Sequence, residues 1–301
     1  MRINKKKVQK NFSAAAAIYD HISCLQREVS QMLLSCLLPH LSSRQVPLRI
    51  LDIGTGTGLT LLDLAASFPD SQLHGLDLAY DMLRQAQRKL NYTTAYPAAP
   101  PTISPSQFSP APPSAEANRR LFLLQADAEN LPYRSSVFDL VLSNLTYQWV
   151  SDHDLAFGEV RRVLKWGGKF VFSTFGQGTL SELHAAFRQA YQRLGSSGEA
   201  GQSHGQAFLS SGELRAMLRN CGFSNLKLKE YTMLRTYPTV RSLLMELKAT
   251  GASNATLSRS AGLGGRRILR EMENYYREQF GHERGISATY QVILMEGEKG
   301  E

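Results

Sequence analysis

Cysteine is scarce in this chain, and long apolar runs are missing from it. Its 301 residues include three cysteines, Cys24, Cys36 and Cys221, and none belongs to a C-x-x-C pair. This number and spacing argue against a disulfide scaffold and a zinc site, so we predict no metal centre and a reducing, cytoplasmic compartment. No apolar run approaches the roughly 20 residues of a membrane-spanning helix, so we predict no membrane partner.

Charge is absent from one long stretch of the sequence. Asn91–Ala115 holds no charged residue, and seven of the twelve prolines lie between Pro97 and Pro113. Proline at this density disfavours the interior of helices and sheets. We therefore predict that residues 91–117 form a loop inserted into the core domain. A proline-rich motif for a partner is the alternative to an inert loop.

Acidic residues are fewer than basic ones, which leaves a net charge of +8. A basic surface attracts acidic partners over long distances, and nucleic acid, an anionic lipid surface and an acidic carrier protein all qualify. Simple solubility is the alternative. The N-terminal lysines, Lys5, Lys6, Lys7 and Lys10, are not followed by an apolar segment, so we expect no signal peptide.

A glycine-rich turn follows the first strongly apolar segment. Arg49–Ile53 reads as a buried strand, and the G-x-G-x-G turn after it contains Gly54, Thr55, Gly56 and Gly58. A strand–turn–helix of this kind presents backbone N–H groups to a ligand at the carboxyl end of a parallel sheet. With Asp52 before the glycines, the turn resembles motif I of class I S-adenosylmethionine (SAM) methyltransferases. The alternative is a tight turn without a ligand.

Strand and helix patterns alternate along the rest of the chain. This alternation predicts a Rossmann-like α/β fold with a mostly parallel, seven-stranded sheet and helices on both faces. Residues 1–47 form a lid segment, for which we predict one amphipathic helix capped by Ser13 and ended by Pro39. Residues 48–301 form the methyltransferase domain, in which residues 236–285 are a mostly helical insertion that contributes to the lid.

A SAM site needs groups that bind its methionine end, its ribose and its adenine ring. Candidate residues for these parts follow one another along the chain. Asp77 ends the second predicted strand, where its carboxylate can accept both ribose hydroxyls. Asp127 and Ala128 follow the third strand, where the aspartate can accept from the adenine amino group, and Leu78 and Met82 can enclose the ring. Each of these residues also has an interpretation without a ligand. Asp77 can cap a helix, Asp127 can belong to a turn, and Leu78 and Met82 can be core residues. Their joint order predicts SAM as the cofactor.

The stretch at the end of the fourth predicted strand, Phe138–Ser143, is more specific than the glycine-rich turn. Ser143-Asn144-Leu145 is followed by Gln148-Trp149, a pattern that resembles the malonyl-[acyl-carrier protein] O-methyltransferases of biotin synthesis. Four other stretches are similar to the same family, namely Val8–Asp20, Phe172–His184, Leu247–Asn254 and Ala288–Tyr290. The resemblance covers nearly the whole chain, apart from the proline-rich insertion.

The resemblance implies an activity and a partner. The activity is SAM-dependent methylation of the free carboxylate of malonyl-acyl carrier protein, or of malonyl-CoA, to its methyl ester. The ester masks the charge, so that fatty-acid enzymes can elongate the chain as an ordinary acyl group. The expected partner is an acidic acyl carrier protein. Two basic sets can meet it: Arg161, Arg162 and Lys165, or Arg266, Arg267 and Arg270.

The same resemblance suggests the acceptor side of the site. We expect Tyr19 near the methyl group, Gln148 as the residue that orients the carboxylate, and Trp149 as a wall of the channel. Asn144 completes the predicted cofactor-binding set. Lys248 and Arg241, with Arg235 as a third choice, are candidates for the malonyl charge. Packing is the alternative for Tyr19 and Trp149, and solvent exposure is the alternative for the cations.

Other functions of the same fold stay open. One is a small-molecule methyltransferase of the quinone type, against which the late L-K-x-x-G-A-x-N segment argues. Another is methylation of nucleic acid, but no N-P-P-Y motif follows the fourth strand, and we predict no nucleic-acid partner. A third is a binding module without catalysis, against which the complete set of Asp52, the glycines and Asp77 argues.

Overall fold

The computed structural model describes residues 3–41, 47–95, 120–195, 208–251 and 263–300. Its strands are β1 (Arg49–Ile53), β2 (Gln72–Asp77), β3 (Leu121–Gln125), β4 (Phe138–Ser143), β5 (Leu164–Phe175), β6 (Phe223–Tyr237), β7 (Gly281–His282) and β8 (Gly285–Lys299). They form one sheet of order β3-β2-β1-β4-β5-β8-β6, and β7 pairs with β8 outside this path. β1 to β5 are parallel, whereas β8 is antiparallel to β5 and β6. The predicted mostly parallel, seven-stranded sheet is confirmed, with β7 as an addition.

Helices occupy much of the remaining described chain. They are α1 (Lys5–Ala15), α2 (Tyr19–Ile22), α3 (Cys24–Leu41), α4 (Leu59–Ser67), α5 (Tyr80–Ala95), α6 (His153–Val163), α7 (Ser181–Arg193), α8 (Ser211–Asn220), α9 (Val240–Ala249) and α10 (Leu263–Phe280). β1 is buried along its length apart from Arg49. A parallel strand between two helical layers requires such a continuous apolar run.

Each face of the sheet packs against its own helices. Ile50 of β1 belongs to a core that includes Leu243 of α9. The next residue, Leu51, belongs to a second core that includes Leu214 of α8. Successive side chains of a strand point to opposite faces of the sheet. α8 and α9 therefore lie on opposite faces.

The strand order decides where a ligand can bind. β1 lies between β2 on one side and β4 on the other. The chain leaves β1 toward one half of the sheet and later enters β4 in the other half, so the loops after β1 and β4 separate at this point. In open α/β sheets this crevice at the carboxyl ends of the strands is the usual ligand site.

The N-terminal segment differs from the single helix that we predicted. α1 begins after Asn4, whose side chain accepts from the Lys7 N–H at 3.1 Å, so Ser13 lies inside this helix. α2 and α3 follow, and α3 continues past Pro39 to Leu41. Pro39 lies in the last turn, and the helix ends two residues after it. The division into a lid segment and a domain stays a prediction.

The two predicted insertions are only partly described. We assigned residues 91–95 to the proline-rich loop, but they belong to α5. The first proline of that stretch comes only at Pro97, so nothing before it ends the helix. Residues 96–119 lie outside the described residues. The predicted helical insertion contains α9 and α10 as well as β7, and residues 252–262 between the two helices lie outside the described residues.

Candidate functional site

The loop after β1 folds against the end of β2. The backbone N–H groups of Gly54 and Thr55 donate to the Leu76 carbonyl at 2.7 and 2.9 Å. Gly54 has a φ of +73°, and a Cβ built on it would overlap the Thr146 side chain, so glycine is required there. A Cβ on Gly56 would meet no atom within 4 Å. The loop is therefore tightly packed at Gly54, against the segment that follows β4, and open at Gly56.

Asp77 lies at the end of β2 beside this loop. Its Oδ2 accepts from the Gly56 N–H at 2.9 Å, and its Oδ1 accepts from the Ala79 N–H at 2.8 Å. Each oxygen keeps a second lone pair for a ligand hydroxyl. Burial raises the pKa of Asp77 to about 6, and the backbone donors offset part of this rise. The carboxyl group is thus fixed in place before any ligand arrives.

A cavity of about 740 Å³, including its open mouth, adjoins the carboxyl ends of β1, β2 and β4. Eight predicted cofactor residues line it: Gly54, Gly56, Asp77, Leu78, Met82, Asp127, Ala128 and Asn144. Tyr19 and Trp149, which we predicted on the acceptor side, line it as well. The fold thus brings together residues from five separate segments.

A second cavity of about 420 Å³ adjoins the glycine loop. Its lining includes Ser23, Gln26 and Arg27 of the N-terminal segment, and Thr55 and Thr57 of the loop. Four residues line both cavities, namely Tyr19, Gly54, Gly56 and Asn144. The two spaces therefore meet at these residues. Together they suit an elongated ligand with an apolar ring at one end and polar groups at the other.

Buried polar atoms without hydrogen-bond partners lie in the lining of the smaller cavity and in the adjoining strand β1. Within the described residues, those of the lining include the Thr55 and Ser23 hydroxyls and the Gln26 side-chain oxygen. Both carboxylate oxygens of Asp52, near the end of β1, also lack partners, although Asp52 lines neither cavity. Such unpaired groups are costly. Burial raises the pKa of Asp52 to about 7, the neighbouring Thr55 hydroxyl offsets part of this rise, and the charge of Asp77 adds to it. A cationic ligand group with N–H donors would relieve these costs, so the residues fit the amino-acid end of SAM.

Helix α1 covers the larger cavity. Lys5, Val8, Gln9 and Phe12 line it with the i, i+3, i+4, i+7 spacing of one helix face. The Gln9 amide donates to the Leu78 carbonyl at 3.1 Å. The Phe12 ring meets the Trp149 ring edge-on, with the ring centres 5.5 Å apart. We did not predict the α1 residues as part of the site, although their helical spacing is a signal in the sequence that could have found them.

Asp127 forms an ion pair with Lys5 of α1 that we did not predict. Its Oδ2 lies 2.6 Å from Lys5 Nζ, and its Oδ1 accepts from the Glu129 N–H at 3.0 Å. The same lysine lies 2.7 Å from the Glu129 carboxylate. Lys5 therefore competes with the adenine amino group for the Asp127 carboxylate. In this arrangement Asp127 holds α1 over the larger cavity through its ion pair with Lys5. Its contact with adenine stays a prediction.

Tyr19 begins α2 where the two cavities meet. Burial, followed by the charges of Asp77 and Asp20, raises the pKa of Tyr19 far above its usual value, so the hydroxyl stays protonated and can donate. Asp20 holds this turn in place. Its Oδ1 accepts from the Thr57 hydroxyl at 2.5 Å, and its Oδ2 pairs with Lys89 at 2.6 Å. α2 is thereby tied to the glycine loop and to α5.

Two further predicted residues have structural roles in the loops and helices around the site. Asn144 donates to the Gln26 carbonyl at 2.9 Å and accepts from the Ser173 hydroxyl at 2.7 Å, so both ends of its amide are engaged although it lines both cavities. Gly58 lies outside both cavities, at the start of α4. A Cβ on Gly58 would lie 2.9 Å from the Ala86 Cβ, so this glycine allows α4 and α5 to approach closely.

The structure does not bring Gln148 to either cavity. It is buried in a short 3-10 turn, where its amide donates to the Leu145 carbonyl at 2.6 Å. Its side-chain oxygen accepts from the Thr174 hydroxyl at 3.2 Å. Both polar ends of Gln148 thus stabilise the loop after β4. This geometry differs from the carboxylate-orienting role that we predicted.

The three candidate cations for the malonyl charge also line neither cavity. Arg241 and Lys248 are exposed on α9, and Arg235 pairs with Glu28 of α3. α9 turns its apolar side to the core, which leaves these two cations on the outer side. Within the described residues, no group of three His, Cys, Asp or Glu side chains is placed to hold a metal ion. No helix in that part of the chain is long and apolar enough to cross a membrane.

Comparison with known proteins adds a family to this geometry. Two family models, both described as a methyltransferase domain, match residues 51–172 and 115–232. The malonyl-[acyl-carrier protein] O-methyltransferase of Geobacter sulfurreducens is 36% identical over 99% of this chain and 100% of its own length. The protein of that name from Methylococcus capsulatus is 34% identical over 98% of this chain and 94% of its own length. The one from Paenibacillus sp. is 30% identical, over 97% and 98%.

Solved structures share the fold at lower identity. The YcgJ protein of Bacillus subtilis is similar with a TM-score of 0.57 at 18% identity, over 90% of this chain and 99% of its own. Phosphoethanolamine N-methyltransferase 2 of Haemonchus contortus, solved in complex with SAM, gives a TM-score of 0.51 at 19% identity, over 90% of this chain and 53% of its own. At these identities the similarity concerns the fold alone.

Proposed function

Because the chain belongs to the malonyl-[acyl-carrier protein] O-methyltransferase family, we propose that it methylates the free carboxylate of a malonyl group on an acyl carrier protein, with SAM as the methyl donor. The observation that carries this proposal is the 36% identity over 99% of the chain. That span includes the α1–α2 cover and α9 as well as the glycine loop. The names of the relatives agree with this activity and not with the quinone-type alternative. The chain is accordingly a SAM-dependent O-methyltransferase.

The two joined cavities support a SAM site with separate places for its ends. Asp77 would hold the ribose hydroxyls, and Leu78 and Met82 would enclose the adenine ring. Asp52 and Gln26, whose buried oxygens lack partners among the described residues, would take the ammonium end. When bound, SAM supplies a methyl group that its positively charged sulfur makes electrophilic.

The acceptor carboxylate needs no general base, because it is already ionised at pH 7. It needs alignment with the methyl group and protection from water. We propose that it binds beside Tyr19, whose protonated hydroxyl donates to the oxygen that does not attack. Phe12 and Trp149 line the cavity with apolar rings that exclude water.

We extend the proposal to an acidic carrier protein in the cytoplasm. The net charge of +8 supports an acidic partner, and the scarcity of cysteine supports a reducing compartment. The methyl ester would mask the malonyl charge, so that chain-elongating enzymes accept it as an ordinary acyl group. This is the chemistry expected at the entry to biotin synthesis.

Mass spectrometry of malonyl-acyl carrier protein after incubation with SAM and this enzyme tests the proposal. We expect a gain of one methyl group that an esterase removes. Acetyl-acyl carrier protein is the matched control, because it lacks the free carboxylate. If malonyl-acyl carrier protein and malonyl-CoA both stay unchanged, the proposed function is wrong. If only malonyl-CoA is methylated, the carrier is not the substrate.

A further inference from the structure

Five exposed cations lie on the two helices between β6 and β8. They are Arg241 and Lys248 of α9 and Arg266, Arg267 and Arg270 of α10, and we name this surface the basic face. In the described part of the chain, none of the five pairs with a carboxylate. The two helices contact each other, so the five cations lie on neighbouring elements.

The α9 part of the basic face has an apolar centre. Arg241, Met245 and Lys248 follow the i, i+4, i+7 spacing that places them on one side of a helix. Met245 is 58% exposed, whereas Val240 and Leu243 are buried against the sheet. Methionine adapts its shape to a partner more easily than branched side chains do. The surface therefore offers an adaptable apolar contact between two positive charges.

The basic face adjoins the cover of the cofactor cavity. α9 packs against α2, the helix that begins with Tyr19. Beyond the end of α9, a Cβ on Gly251 would lie 3.2 Å from the ring of Phe12, which lines the larger cavity. Lys248 precedes Gly251 by about one helical turn. A partner bound at α9 would therefore lie beside the cavity wall.

The other basic set that we predicted for the carrier is engaged elsewhere. Arg162 pairs with Glu159 at 2.7 Å, and Lys165 pairs with Asp139 at 2.8 Å. Both cations lie next to Leu164, where β5 begins. In a parallel sheet this is the edge opposite to the carboxyl ends that form the cavity. The charges of Arg162 and Lys165 are neutralised locally, and their position is remote from the site. The third member, Arg161, lies over the Trp166 ring and donates to the Gly222 carbonyl.

We propose that the basic face is the docking surface for the acidic surface of the acyl carrier protein. The proposal rests on the proposed function and names the surface through which its substrate arrives. Charge complementarity favours this occupant, because a basic face on a chain of net charge +8 steers an acidic partner and orients the encounter. Arg241 and Lys248 then bind the carrier protein and not the malonyl carboxylate that we first assigned to them.

The double variant Arg241→Glu/Lys248→Glu tests the basic face. Arg215→Glu/Arg219→Glu on α8 is the matched control, because it reverses two exposed cations on a helix of the opposite face of the sheet. Lys248 and Arg219 both lie in the last turn of their helices. Fluorescence anisotropy with labelled malonyl-acyl carrier protein at low salt gives the dissociation constant. We expect a rise of roughly tenfold or more for the α9 variant and less than about twofold for the control.

Kinetics provide the second readout. We expect the ratio of kcat/KM on malonyl-acyl carrier protein to kcat/KM on malonyl-CoA to fall for the α9 variant by the same factor as carrier binding. Equal effects of the two variants on carrier binding would overturn the proposal. An equal loss of kcat/KM on both substrates would also overturn it and return the two cations to the malonyl carboxylate. Displacement of the carrier by a DNA duplex that binds more tightly would identify a nucleic-acid surface instead.

The outcomes separate this proposal from the proposed function. A wild-type enzyme that methylates malonyl-CoA without binding the carrier would overturn the docking surface and retain the methyl transfer. A wild-type protein that binds the carrier through α9 but transfers no methyl group would support the docking surface and contradict the function.

Discussion

The cofactor cavity and the basic face are neighbours that are built from different interactions. The cavity consists of tight backbone turns and buried carboxylates, and at Gly54 the packing leaves no room for a Cβ. The basic face consists of long exposed side chains that pair with no carboxylate within the described residues. A buried site depends on individual atoms, because packing and hydrogen bonds act over short distances. An exposed charged surface depends on the sum of its charges.

This difference predicts how each region responds to substitution. Single changes in the cavity should have large effects on stability or on SAM binding. Exposed ion pairs are worth only about 0–1 kcal/mol each, so single changes on the outer surfaces should have small, salt-dependent effects. The following experiments challenge this comparison, from the largest expected effect to the smallest.

Gly54 should be the most sensitive position. In Gly54→Ala the new Cβ overlaps Thr146 while φ stays at +73°, so we expect a loss of about 3 kcal/mol in the free energy of unfolding. Gly56→Ala is the control, because its Cβ meets no atom within 4 Å. It should lose only about 1 kcal/mol without ligand, from backbone strain, but should weaken SAM binding. Urea titrations with and without SAM measure both effects, and equal losses in the absence of SAM would contradict the packing argument.

Gln148→Ala should affect stability more than chemistry. The substitution leaves the Leu145 carbonyl and the Thr174 hydroxyl without their partner, so we expect a loss of about 2 kcal/mol in the free energy of unfolding. kcat/KM at a temperature well below unfolding should stay near that of the wild type. A variant of normal stability with strongly reduced kcat would show that Gln148 acts on the acceptor after all.

Tyr19→Phe should show the opposite pattern. The variant keeps the aromatic ring but removes the donor that we propose for the carboxylate, so we expect kcat/KM on malonyl-acyl carrier protein to fall roughly 30-fold. Its unfolding free energy should change little. Wild-type kcat/KM in this variant would exclude Tyr19 from the acceptor site.

SAM binding should depend on pH through Asp52. Its pKa is raised to about 7, so the folded protein without ligand keeps a proton that the unfolded chain loses near pH 4. Without SAM, stability should therefore fall as the pH rises from about 4 to about 7. A cationic ligand favours the ionised form, so the dissociation constant for SAM should be about tenfold larger at pH 6 than at pH 8. Calorimetric titration measures it.

The control for this pH dependence is Asp52→Asn. In this variant the dissociation constant for SAM should depend much less on pH. The smaller dependence that remains belongs to Asp77, whose pKa is raised to about 6. An unchanged profile in Asp52→Asn would assign the dependence to another group.

The smallest effect is expected at the cover. Lys5→Met removes the pairs with Asp127 and Glu129, which are partly exposed, so the KM for SAM should rise roughly threefold. Lys6→Met is the control, since Lys6 is exposed on the same helix and does not line the cavity. The difference between the two variants should shrink at high salt, because salt screens exposed charges. A difference that persists at high salt would point to packing and not to charge.

The sequence predicted the sheet better than the segments around it. The first and fourth predicted strands have the bounds found in the structure, Arg49–Ile53 and Phe138–Ser143. Buried parallel strands are short apolar runs between turn residues, and this pattern is local. The N-terminal segment was harder to predict, because Asn4 caps α1 and Lys5 contacts Asp127, 122 residues away in the chain.

By itself, the sequence determined the order of strands and helices, the glycine loop and the positions of Asp52 and Asp77 at the ends of β1 and β2. These features follow from backbone preferences and from periodicity over a few residues. Only the tertiary structure decided that Lys5 lies over the cavity and that both polar ends of Gln148 are hydrogen-bonded to the protein itself. It also decided that Arg241 and Lys248 face outward. These facts depend on which distant segments pack together, and no local pattern contains that information.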